Sequence, residues 1–132
     1  MPLDVPEKFQ DLFRKKSFGH LATLMPDGQP QTTPVWVDFD GEHVLVNTTD
    51  DRQKFENLRS EPRVAISIQD PEDPYRYLEV RGRVADTTRR DAEAHIDALA
   101  RRYLDEDRYP MREDGESRVV VKIAPEHFSS RG

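Results

Sequence analysis

Three strand-like runs in direct succession, parted only by tight-turn residues, constrain this chain more than anything else in it. FGHLATLM leads into Pro26-Asp27-Gly28, where proline presets the turn and glycine takes positive φ. PQTTPVWVDF follows, rich in β-branched and aromatic residues, and ends at Asp40-Gly41, a second tight turn. HVLVNTT is then a third run. Connections this short join antiparallel neighbours, because parallel strands need a long crossover. Pro34 cannot donate to a ladder, which places the second run at an edge, a bulge or a break in pairing.

The rest of the chain changes period in a regular way. Asp4 can cap a short first helix, with Pro6 at an early position and Glu7 three residues after the cap. Leu3, Phe9, Leu12 and Phe13 can share one face, and the helix should end near Ser17-Phe18-Gly19. DDRQKFENLRSE reads as a second helix, capped by Asp50 or Asp51 and packed through Phe55 and Leu58. PRVAISIQD is a fourth strand and PEDP a loop. In YRYLEVRGRVADTT, Tyr75, Tyr77, Glu79 and Arg81 alternate with Arg76, Leu78 and Val80, and Gly82 invites a bulge or bend. From Arg89 to about Leu104, Ala92, Ile96, Leu99 and Tyr103 line one face of an amphipathic helix. The charged loop DEDRYPMREDGE precedes a last strand, SRVVVKIAPEHF. Without βαβ alternation a doubly wound sheet is disfavoured. The expected fold is mainly β with flanking helices, a six-stranded antiparallel sheet closing into a small barrel, with residues 1–132 as a single domain.

Several chemistries are excluded or lack support. There is no cysteine, so thiolate catalysis, disulfides and iron–sulfur clusters are ruled out. Lys and Arg number 20 against 26 Asp and Glu, a net charge of −6, which argues against a general nucleic-acid binder. No apolar run approaches the roughly 20 residues of a membrane helix, and the N-terminal residues lack a signal-peptide stretch. A soluble cytoplasmic protein is the expectation. His20, His43, His95 and His127 are scattered, so no metal site is expected. G-x-S-x-G, Walker and G-x-G-x-x-G motifs are absent.

One constellation points to a ligand. Gln31-Thr32-Thr33-Pro34-Val35-Trp36 precedes a strand ending Asn47-Thr48-Thr49, and Arg52 and Lys54 follow at the head of a short helix. Helix N-termini favour anions, and two cations beside one make a phosphate site. Hydroxyls and an amide on the neighbouring strand ends can bond the polar edge of a heterocycle. The bland alternative is that Arg52 and Lys54 pair with Asp50, Asp51 and Glu56 on a solvated helix.

The run from Gly19 to Asp70 resembles the core of the pyridoxamine 5'-phosphate oxidase-like, FMN-binding split-barrel superfamily. Within it the chain most resembles the short branch of coenzyme F-420-dependent oxidoreductases. The markers are ATL-x-x-DG-x-P, the P-V-W strand, R-x-K followed by x-x-N-L, the P-R-V opening the next strand, LEVRGRVA and RVVVKIAPEHF. The resemblance spans about Leu12 to Phe128. It implies a split barrel that forms a homodimer with cofactor sites at the interface. It also implies that Gln31 to Trp36 run along the cofactor ring, that Asn47, Thr48 and Thr49 meet the ring edge or phosphate, and that Arg52 and Lys54 hold the phosphate. The vitamin-processing members have adjacent basic residues where this chain has Arg52-Gln53-Lys54, and a basic C-terminal motif where it has HFSSRG. That departure disfavours pyridoxamine phosphate oxidation.

The reading is therefore an F-420-dependent oxidoreductase that transfers a hydride between its deazaflavin and a small conjugated or heterocyclic substrate. The alternatives are an FMN-binding oxidoreductase of the same superfamily and a non-catalytic flavin or deazaflavin binder. No side-chain acid is dictated; Tyr75, Tyr77 and His20 are the candidate proton donors, and Trp36 can stack near the ring. The anionic F-420 tail needs further cations, which Arg14, Lys15 and Lys16 can supply. Apolar residues are only 35% of the chain, lean for a lone monomer and less so for a subunit that buries surface against a partner.

Overall fold

The computed structural model describes residues 3–132. A 3-10 helix, Glu7–Phe13, is followed by β1 (Phe18–Leu24), β2 (Pro30–Trp36), β3 (Asp38–Phe39) and β4 (Val44–Thr49). Helix α1 (Gln53–Ser60) leads to β5 (Arg63–Asp70) and the long β6 (Asp73–Thr88), then helix α2 (Ala92–Leu104) and β7 (Arg118–Arg131). All strands join one antiparallel sheet in the order β2-β1-β5-β6-β7-β4-β3. Among the described residues no helix is long and apolar enough to cross a membrane.

The strand count is seven rather than the expected six. PQTTPVWVDF does not run through as one strand; it breaks at Val37 into β2 and β3, which lie at opposite ends of the sheet order. Two edge strands joined by one residue require the sheet to curl until its edges meet. The corner needs outside help, because Val37 has no ladder partner and is fully buried. Helix α2 provides it. The Val37 N–H donates to the Tyr103 hydroxyl at 3.0 Å, and Arg102 Nη1 donates to the Val37 carbonyl at 2.8 Å. The Tyr103 hydroxyl in turn donates to the Ser17 carbonyl at 2.5 Å, and its burial raises its pKa. Tyr103→Phe would strand the Val37 N–H. It is expected to lower unfolding free energy by about 1–3 kcal/mol in urea titrations; an unchanged midpoint would show that the corner holds itself.

Strand alternation sets the core. Leu21, Val35, Val44, Val46, Ile66, Ile68, Leu78, Val80, Val121 and Ile123 line the inside of the curl, closed by Phe9, Leu12 and Phe13 of the 3-10 helix and by Phe55 and Leu58 of α1. The other parity of β4 and β7 faces α2, where Leu45 and Val120 meet Ala92. Pro34 lies on an edge strand, as its missing N–H requires, and Gly28 takes φ +88 in the first hairpin turn. Two local expectations fail. Leu3 is exposed and Val5 is buried in its place, and neither Asp4 nor Asp50 nor Asp51 caps a helix. Pro6 and Arg52 occupy the cap positions, and neither makes a side-chain cap bond.

Candidate functional site

A cleft of about 150 Å³ opens where the end of β2, the end of β4 and the head of α1 converge under α2. Of the residues singled out from sequence, Pro34, Val35, Trp36, Asn47, Thr48, Arg52 and Lys54 line it. Gln31, Thr32, Thr33 and Thr49 do not. The Gln31 side-chain Oε1 accepts from Asn57 at 3.3 Å, and the Thr49 hydroxyl donates to Asp51. Thr32 and Thr33 alternate along the part of β2 that runs away from the cleft.

Trp36 forms the apolar wall together with Pro34 and Val35. One face of its indole stacks on Tyr103, with centroids 4.9 Å apart and planes at 8°. Tyr109 meets it edge-on at 5.9 Å.

The head of α1 is electropositive and lacks a side-chain cap. Among the described residues no carboxylate lies within ion-pairing distance of Arg52 or Lys54. The acids that could have taken them are engaged elsewhere: Glu56 with Arg59, Asp50 with Arg89 and Asp51 with the Thr49 hydroxyl. Burial, and after it the Arg52 charge, push the Lys54 ammonium below the ordinary lysine pKa. A partly buried, unneutralised cation beside free helix N–H groups is an arrangement that an anion stabilises.

The sequence reading missed Arg118, Tyr109, Phe18, Ile96 and Leu99 in this lining. Arg118 is 7% exposed and pairs in register with Thr49. Alternation along RVVVKI sets it on the Val120 side, but which strand it would face is a matter of sheet order. Asn47 is held on every side: its amide nitrogen donates to the Ala92 carbonyl at 2.9 Å and contacts His95 Nδ1 at 3.1 Å, and its oxygen accepts from Arg118 at 3.3 Å. His95 Nε2 reaches Asp38 at 3.0 Å. Burial would raise the Asp38 carboxyl, but bonds from His95, Arg102 and the Phe39 N–H outweigh it and bring the pKa down to about 2. The candidate proton donors Tyr75, Tyr77 and His20 do not line the cleft. Nor do Arg14, Lys15 and Lys16; Lys15 is bound to Asp70 at 3.2 Å and to Asp11 and Glu72 at 3.5 Å.

Residues 5–132 match the pyridoxamine 5'-phosphate oxidase family. The chain belongs to that family. Among solved structures, an F420 reductase is 41% identical with a TM-score of 0.83, over 95% of this chain and 98% of that one. The conserved hypothetical protein Rv2991 from Mycobacterium tuberculosis is 24% identical with a TM-score of 0.72, over 98% of this chain and 85% of its own. General Stress Protein 26 from Bacillus anthracis is 20% identical with a TM-score of 0.67, over 94% and 91%. The last two share the fold with this member of the pyridoxamine 5'-phosphate oxidase family.

Proposed function

We propose that this protein is an F-420-dependent oxidoreductase, with residues 1–132 as one cofactor-binding domain that works as a homodimer in the cytoplasm. The observation that carries the reading is that Arg52 and Lys54, without an ion-pair partner among the described residues, stand at a helix head that has no side-chain cap and opens on a cleft with an apolar wall. The residues fit a phosphate-bearing heterocycle. Arg52, Lys54 and the first N–H groups of α1 would hold the phosphate, and Thr48 would donate at the ring edge. Pro34, Val35 and Trp36 would keep water off one ring face. A bound deazaflavin supplies the hydride chemistry; the protein supplies orientation, exclusion of water and anion binding. The 41% identity to an F420 reductase supports the choice of cofactor.

The cleft volume supports the dimer. About 150 Å³ in one chain falls short of the roughly 300–1,000 Å³ of a site that encloses a drug-sized ligand. A second subunit would complete the wall and draw further apolar surface out of water.

A second reading is an FMN-binding oxidoreductase. It is favoured by the tail: Lys15 pairs with Asp70, and none of Arg14, Lys15 and Lys16 lines the cleft. Titration of the purified protein with F-420 and with FMN separates the two. Tighter F-420 binding, followed by turnover of a conjugated acceptor, is expected; tighter FMN binding overturns the lead reading. F-420 binding without turnover of quinones, tetrapyrroles or unsaturated lactones would leave a carrier protein.

A further inference from the structure

Arg118 is buried at the cleft with part of its donor capacity unused. Nε donates to the Glu116 carboxylate at 3.1 Å in a buried ion pair, Nη1 to Asn47 at 3.3 Å and Nη2 to Glu116 at 3.5 Å. A guanidinium has five N–H donors, so two are left without an acceptor among the described residues. Its face lies 4.6 Å from the Tyr109 ring centroid, which holds the plane in place. The group also stands at the head of α1. Its register partner Thr49 accepts the Arg52 N–H at 3.2 Å. The Asp51 carboxyl, lowered first by the Thr49 hydroxyl, lies in the field of both Arg52 and Arg118.

The bonds behind Arg118 run one way. Arg118 donates to the Asn47 oxygen, the Asn47 amide to His95 Nδ1, and His95 Nε2 to Asp38. Asp38 also receives Arg102 and the Phe39 N–H, both at 2.9 Å. Turning the Asn47 amide over would set its oxygen against the Ala92 carbonyl and its nitrogen against Arg118. His95 Nδ1 therefore accepts from Asn47, and the ring hydrogen lies on Nε2, towards Asp38.

We propose that Arg118 is a third basic donor to the anion site at the head of α1, and that His95 is a positioning residue that orients it through Asn47. This rests on the phosphate-site reading above. Arg118 lines the same cleft as Arg52 and Lys54, and its two unused N–H donors suit a phosphoryl oxygen.

The test is equilibrium binding of F-420, FMN and inorganic pyrophosphate. The proteins are wild type, Arg118→Met, Arg118→Lys, His95→Ala and His95→Gln, each checked by thermal melting. Arg118→Met is expected to weaken binding roughly ten- to a hundredfold. Arg118→Lys, which keeps the charge and loses the fork, falls between, and it carries the test if Arg118→Met does not fold. Glutamine can accept from Asn47 and donate to Asp38, and alanine can do neither. His95→Ala should therefore weaken binding only while Arg118 is present, and His95→Gln should restore it. Wild-type affinity in both Arg118 variants overturns the donor assignment, and equal affinity of His95→Ala and His95→Gln overturns the positioning role. Pyrophosphate binding that depends on Arg118, with no binding of either cofactor, would remove the cofactor reading and leave this inference standing. Cofactor binding indifferent to Arg118 would do the reverse, and failure to bind any of the three removes both.

Discussion

Reversing both cations at the head of α1, Arg52→Glu with Lys54→Glu, is expected to weaken F-420 or FMN binding at least a hundredfold while the protein stays folded. Each charge-assisted bond to phosphate contributes about 1.5–3 kcal/mol, so losing two corresponds to roughly 10²- to 10⁴-fold, before any repulsion from the new carboxylates. Stability should hardly move on account of broken contacts, since neither residue has an ion-pair partner among the described residues. It can even rise at position 54. Burial favours the neutral amine, so the folded chain releases the Lys54 proton before the unfolded chain does. The resulting penalty is full below the shifted pKa and fades as pH climbs towards 10.5, the ordinary lysine value. Lys54→Met should accordingly raise the melting temperature at neutral pH while it weakens the ligand. Unchanged affinity in the double reversal would remove the phosphate site. A collapse of the melting temperature would instead show that these cations serve the fold.

The features legible from sequence are those with local causes. The hairpin turns at Gly28 and Gly41, the edge position of Pro34, and the α2 face of Ala92, Ile96, Leu99 and Tyr103 follow from turn chemistry and periodicity. The break at Val37 does not. WVDF has strand propensity throughout, and its corner exists because Tyr103 and Arg102, far along the chain, satisfy the Val37 peptide groups. At the caps, Asp50 is drawn to Arg89, a distant partner, whereas Asp51 is taken by a local competitor, the Thr49 hydroxyl two residues before it. At the cleft, Arg52 and Lys54 are legible through the resemblance, since their spacing by itself fits a solvated helix as well. Arg118 and Tyr109 were not, because their place depends on β7 lying beside β4, and strand order is not a local property.

The same curl makes Gly82 the most sensitive glycine in the sheet, with Gly82→Ala expected to cost about 2–4 kcal/mol. Between Arg81 and Gly82 the register with β7 slips, His127 facing Arg81 and Pro125 facing Gly82, so Glu126 is the extra residue of a bulge. A Cβ on Gly82 would sit 2.1 Å from the Ala124 carbonyl oxygen and 3.0 Å from its carbon. Those are backbone atoms of a central strand and cannot swing aside. Two other glycines separate steric from conformational causes. At Gly19 a Cβ would meet Val37 Cγ1 at 2.6 Å and Ile66 Cδ1 at 2.7 Å, side-chain ends that can give, so a smaller loss is expected. At Gly28 the space is open and only φ +88 opposes alanine, a cost of about 1 kcal/mol. The expected order of destabilisation in urea titrations is therefore Gly82→Ala, Gly19→Ala, Gly28→Ala. The order carries the argument: were Gly28→Ala the worst, turn conformation rather than the β6–β7 bulge would limit the fold. Because β7 also carries Arg118 and pairs with β4, a Gly82→Ala protein that still folds should bind its cofactor more weakly, although Gly82 lies outside the cleft.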